Sequence, residues 1–163
     1  TNCRQLTTFP TAIANEVLIE YRTFASNTGF YNFALWGDGT PTNFDGLRFE
    51  VVYPNGETPV TAPATHVLTA QTTYSSCRLC AVFHESCDAM GMCDRDYLAQ
   101  AGTLTVTRAD RSPAGRIAGS GQNLRFVEWD LANDRAVGTG CVELTSFGPF
   151  NSGWNADGGM PPP

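Results

Sequence analysis

Cys77, Cys80, His84, Cys87 and Cys93 crowd into one short stretch of the chain, and thiolates with an imidazole are the donors that zinc selects. A zinc site needs four such groups to converge, typically from two tight knuckles. The apolar run Leu79 to Phe83 alternates as a strand does, and a strand sends Cys77 and Cys80 to opposite faces. Side chains that point apart do not chelate one ion, whereas each can reach its own partner as a disulfide. We therefore read all six cysteines, Cys3, Cys77, Cys80, Cys87, Cys93 and Cys141, as staples. Cys87 and Cys93 enclose Asp88-Ala89-Met90-Gly91-Met92, a loop short enough for the two sulfurs to meet. The other four allow three pairings, and Cys3–Cys77 with Cys80–Cys141 is preferred because it ties the N-terminal segment and the last strand to the central one. Thioredoxin-type exchange at Cys77 and Cys80 is disfavoured, since no βαβ pattern surrounds them.

Other chemistry has less support. His66 and His84 are the only histidines, no Gly-x-Ser-x-Gly elbow is present, and His84-Glu85 reads as a polar pair at a strand end. Glu128 and Asp130 flank Trp129, an arrangement that suits a glycosidase, but on a strand they lie about 7 Å apart and read better as solvent-facing charge. Asp38, Asn43 and Asp45 make an oxygen-rich loop of the kind calcium favours, without EF-hand spacing, and Asx turns explain the same residues. No other cofactor is implied. Among the aromatics, Trp36, Trp129 and Trp154 are candidates for a sugar-stacking or protein-docking platform. Phe147, Phe150 and Trp154 stand out for assembly, because they sit in a Pro/Gly-rich end with little chain left to cover them. No catalytic set emerges, and the expectation is a protein that is not an enzyme.

The elements that must hold these residues are short strands. Gly (16) and Pro (10) punctuate β-rich runs, and no helical stripe appears apart from a suspected turn near residues 94–99. Val17–Thr23, Phe30–Trp36, Leu47–Tyr53, His66–Ala70, Arg78–His84, Gly102–Arg108, Asn123–Trp129 and Val142–Phe147 read as strands. Gly102–Arg108 is the clearest, with Leu104 and Val106 inward and Thr103, Thr105 and Thr107 outward. Residues 37–46 read as a loop too rich in turn formers for regular structure, Pro54-Asn55-Gly56 as a tight turn, and residues 110–121 as a connection. About eight strands suit an all-β fold, an antiparallel β-sandwich of jelly-roll or immunoglobulin-like form, with an up-and-down barrel as the alternative. The 163 residues fit one domain, 1–149, followed by a Gly/Pro-rich tail, 150–163.

Charge narrows the partners. All ten basic residues are Arg, and sixteen acids leave a net charge of -6. Nucleic acid and anionic membrane surfaces both need a concentrated basic face, so neither is expected. No apolar run reaches the roughly 20 residues of a membrane span. An even cysteine count, with Thr1 where an initiator Met would stand, is what export to an oxidising compartment and removal of a signal peptide would leave.

The order Cys80-x6-Cys87-x5-Cys93, then Tyr97-Leu98-Ala99, then Ala101-Gly102-Thr103-Leu104-Thr105-Val106, resembles uncharacterised secreted β-rich proteins and lipoproteins of predatory soil bacteria. The strand Asn123-Leu124-Arg125-Phe126-Val127-Glu128 is similar too. The resemblance implies an extracellular or cell-surface β-domain with disulfides and transfers no active site. The expectation is a structural or adhesive protein that self-assembles into a fibre or surface layer or binds other surface proteins. A carbohydrate-binding module, calcium-assisted and directed at glycans, is the alternative.

Overall fold

A computed structural model describes residues 2–23, 30–53, 62–70, 73–110 and 115–153. The tight turn expected at residues 54–56 and Trp154 lie outside them. Among the described residues nine strands form in chain order: β1 (Arg4–Phe9), β2 (Glu16–Thr23), β3 (Phe30–Thr40), β4 (Asn43–Tyr53), β5 (Ala64–Leu68), β6 (Leu79–Cys87), β7 (Cys93–Ala109), β8 (Ile117–Asp130) and β9 (Arg135–Ser152). A 3-10 turn, Ile13–Asn15, precedes β2. Among the described residues no helix is long and apolar enough to cross a membrane.

The all-β expectation holds, but the architecture is one sheet and not two stacked ones. Its order is β1-β9-β8-β7-β6-β4-β3-β2, with β5 added to β7, and β1 runs parallel to β9, which makes the sheet mixed. The reason lies in the three long strands β7, β8 and β9. Register shifts at Ala99/Ala101, Ala101/Thr103, Val106/Arg108, Gly119/Gly121 and Val127/Trp129 bend them, and bulges of this kind strengthen local twist. The sheet curls into a half-barrel around its own core instead of breaking into layers.

That core holds Trp36, Phe49, Phe83, Phe126 and Phe147, each almost fully enclosed. Rings from distant strands meet there: Trp36 of β3 lies 4.4 Å from Phe150 of β9, and Phe9 of β1 lies 6.0 Å from Phe83 of β6. Leu104 and Val106 are buried as their alternation requires.

Several sequence readings are corrected. Residues 37–46 are the paired tip of the β3–β4 hairpin, closed by Pro41-Thr42, because the turn formers lie in register across the ladder. Residues 94–99 belong to β7, where Cys93–Asp96 pairs with β6, so no helical turn forms. The supposed connection 110–121 is strand from Ile117 onward, and Gly119–Gln122 faces Thr103–Val106. Gly121 is required there, because a Cβ would overlap the Phe147 ring. β9 continues to Ser152, past the boundary drawn at residue 149.

Candidate functional site

Three disulfides close the chain: Cys3–Cys141, Cys77–Cys80 and Cys87–Cys93. The Cys87–Cys93 expectation is met; the preferred pairings Cys3–Cys77 and Cys80–Cys141 are not. β6 starts at Leu79, so Cys77 lies in the preceding turn, where Ser76 N–H and Cys77 N–H both donate to Thr73 O. The turn folds Cys77 back onto Cys80, and Cys3 is left beside Cys141 by the parallel β1–β9 pairing.

The Cys87–Cys93 staple frames the most exposed apolar feature. Asp88 N–H donates to Met92 O and Gly91 N–H to Asp88 O, while Asp88 Oδ1 accepts from the N–H groups of Met90 and Met92. This leaves Met90 84% and Met92 67% exposed, because a five-residue loop held this way has no route to the core. Beside it runs an open groove of about 510 Å3, lined by Val17 and Leu18 of β2, Leu35 of β3, Pro41, Phe44 of β4 and Met90. Among the described residues the exposed large hydrophobics are Ile13, Val17, Leu18, Val67, Met90 and Met92, and all but Val67 line this groove or adjoin a lining residue in the chain. Among the described residues β2 ends the sheet order and pairs with β3 only, so the apolar groove lies against an edge strand.

The aromatic candidates divide by burial. Trp36, Phe147 and Phe150 are enclosed at 0%, 1% and 5% exposure, so they hold the core and present no platform. Strand β9 carries both phenylalanines inward against Phe49, which is why the C-terminal end needs no outside cover for them. Trp129 is half-buried. Its indole N–H donates to Asp134 Oδ1, and it lines a smaller cleft of about 200 Å3 with Gln100, Arg125 and Val127.

Asp134 is a residue that sequence reading missed. It also accepts from the N–H groups of Tyr74 and Ser75 and from the Ser75 hydroxyl, anchoring the residue 73–78 loop to the β8–β9 turn. Burial pushes its carboxyl up, but the hydrogen bonds from Ser75, Trp129 and Tyr74 outweigh burial and hold it below the usual range. The signal was local: an Asn-Asp pair after a strand that ends in Trp-Asp marks a polar turn. Beneath that loop Arg48 pairs with Glu50 at 3.2 Å and lies over the Phe33 and Tyr74 rings. Desolvation raises the Tyr74 hydroxyl well above its ordinary value.

The carboxylates weighed for catalysis are occupied. Glu128 accepts from Gly140 N–H, and Asp130 accepts from Ala132 and Asn133. The Asn133 hydrogen bonds hold the Asp130 carboxyl low. His84 contacts Asp96 at 2.6 Å, while Glu85 accepts from Tyr97 and Arg4. His66 is exposed on β5. Asp38 and Asp45 stand directly opposite each other in the hairpin, a like-charge pair that costs stability. Arg4 offsets it with a 2.6 Å contact to Asp45, whose other oxygen accepts from Ser86 N–H. Asn43, the third residue of that set, sits exposed at the hairpin turn with its carbonyl facing the Thr40 hydroxyl.

Comparison with known protein families, curated proteins and solved structures returns no match for this chain.

Proposed function

We propose that this protein is a non-catalytic structural or adhesive subunit, exported to an oxidising extracellular or cell-surface setting, that assembles with copies of itself into a filament or surface layer. The observation that carries this reading is the coincidence of the one-sided edge strand β2 with the apolar groove and its methionine rim. An open edge offers N–H and C=O groups for strand addition, and an apolar patch beside it supplies the hydrophobic term. Methionine adapts its shape to a partner, and the disulfide pre-orders the loop that carries it. A contact between this edge and a different surface of the next copy fails to close and grows a filament. Three disulfides support the compartment assigned here.

The test is light scattering after size exclusion, with electron microscopy of concentrated samples. Wild type is expected to show concentration-dependent assemblies, and Leu18→Glu with Met90→Glu to weaken association at least tenfold while leaving circular dichroism unchanged. A strictly monomeric wild type at high concentration would overturn the proposal.

A second reading, binding of glycans, is favoured by the cleft at Trp129, which Gln100 and Arg125 also line. Glycan-array binding lost in both Trp129→Ala and Arg125→Ala supports it, and an array without signal counts against it. Calcium assistance belongs to this reading and is checked by repeating the array with chelator.

A further inference from the structure

His84, Cys93 and Asp96 bring one imidazole nitrogen, one sulfur and one carboxylate oxygen within 4.8 Å of one another. With Cys93 bonded to Cys87 the sulfur is a poor ligand, and only His84 and Asp96 have donors to give. We propose that cleaving the Cys87–Cys93 disulfide converts this end of the β6–β7 hairpin into a binding site for a divalent transition metal of the zinc class, with His84, Cys93 and Asp96 as ligands and Cys87 as the fourth.

The geometry needs little change. Ligands around one tetrahedral zinc, with bonds of about 2.0–2.3 Å, sit about 3.5 Å apart, so donors at the 4.8 Å limit need to close by about 1 Å and the 2.6 Å contact of His84 with Asp96 needs to open by about as much. His84 and Asp96 are a directly opposed cross-strand pair, and Cys87 and Cys93 are another on the same ladder. The turn between the cysteines does not depend on sulfur: hydrogen bonds through Asp88, Gly91 and Met92 hold it, so both thiols stay at the site after cleavage. The 2.6 Å contact of His84 Nδ1 with Asp96 Oδ1 already brings these two donors together, and a cation ligated by both takes the place of the proton they share. Cys93 is half-buried whereas Cys77 and Cys80 are buried, so an incoming reductant reaches this disulfide more readily than Cys77–Cys80.

The chemistry balances with a dithiol as co-reactant. The dithiol gives two electrons and two protons and leaves as its own disulfide, Cys87 and Cys93 become thiols, and each loses its proton when it ligates the cation. Thiolate, imidazole and carboxylate together suit zinc more than calcium or magnesium.

Cobalt(II) is the probe, because a thiolate ligand gives it a charge-transfer absorption that oxygen ligands do not. The Cys87→Ser variant, prepared without reductant, keeps the other two disulfides and frees Cys93. It is expected to bind one equivalent of cobalt(II) with that band, to lose the band on adding zinc, and to bind at least tenfold more weakly when His84→Ala or Asp96→Asn is added. Oxidised wild type is expected to show no band, and phosphine-reduced wild type to gain one. The proposal is overturned if folded Cys87→Ser shows no band, if reduced Cys93→Ser binds as strongly as reduced wild type, or if the His84 and Asp96 variants leave affinity unchanged. Should Cys87→Ser fail to fold, reduced wild type against reduced Cys93→Ser decides the matter alone.

Discussion

Replacing both Cys3 and Cys141 by Ser should lower the free energy of unfolding by about 4–5 kcal/mol, more than the loss of either other disulfide. The bond joins residues 138 apart in sequence, and the loop-entropy argument rewards such separation. The same argument gives about 2 kcal/mol for the Cys77–Cys80 and Cys87–Cys93 loops, whose ends are 3 and 6 residues apart. Local structure adds to the effect. β1 is six residues long, pairs among the described residues only with β9, and does so in the parallel sense, which is slightly the weaker per residue. Its remaining anchors are Phe9 against Phe83 and the ion pairs of Arg4 with Asp45 and Glu85. Arg4 is substantially exposed, so those pairs contribute little. Urea unfolding under non-reducing conditions measures the loss, and hydrogen exchange should place the first opening in β1. A change below about 1 kcal/mol would mean that β1 is held by packing and not by the bond.

What was legible in the sequence followed from local period. Leu104 and Val106 alternate with threonines and are buried as that alternation requires. Cys87 and Cys93 were pairable because the five-residue loop between them is short enough for the two sulfurs to meet. Partners beyond a hairpin were not legible. Nothing in Arg4–Phe9 signals a parallel strand against β9, and without β1 in place the pairing of Cys3 with Cys141 has no local cue. Turn-forming composition misled at residues 37–46 and 110–121, where glycine serves close packing: Gly119 and Gly121 let the Thr105 backbone and the Phe147 ring approach. The groove was partly visible. A Met-Gly-Met run inside a disulfide-closed loop cannot reach a core, which was a signal of exposure, but the facing wall of Val17, Leu18 and Phe44 exists only once β2 and the hairpin are side by side. The composition of the C-terminal end points to exposed aromatics, because little chain follows Phe147 and Phe150, whereas a long curled β9 covers them by its own bend.

Phe83→Ala should cost about 3–5 kcal/mol, the range for emptying a large aromatic site that its neighbours cannot refill. Phe83 is fully enclosed, and its ring lies 6.0 Å from Phe9, 6.0 Å from Tyr97 and 6.1 Å from Phe126, with the Arg4 guanidinium 5.6 Å from its centroid. It therefore joins β6 to β1, β7 and β8 at once. Collapse into the vacated space is opposed on two sides, because Tyr97 is tied by its hydroxyl to Glu85 and Arg4 is tied to Asp45. Against a total stability of about 5–15 kcal/mol for a domain, such a loss brings the variant near its unfolding threshold. The groove lined by Leu18, Leu35 and Phe44 does not include Phe83, so the variant should still associate with itself at temperatures well below its melting point. Paired urea titration and light scattering separate the two readouts. A midpoint shift equivalent to under about 1.5 kcal/mol would mean that the curled sheet tightens around the cavity, and lost association in a folded sample would place the interface elsewhere.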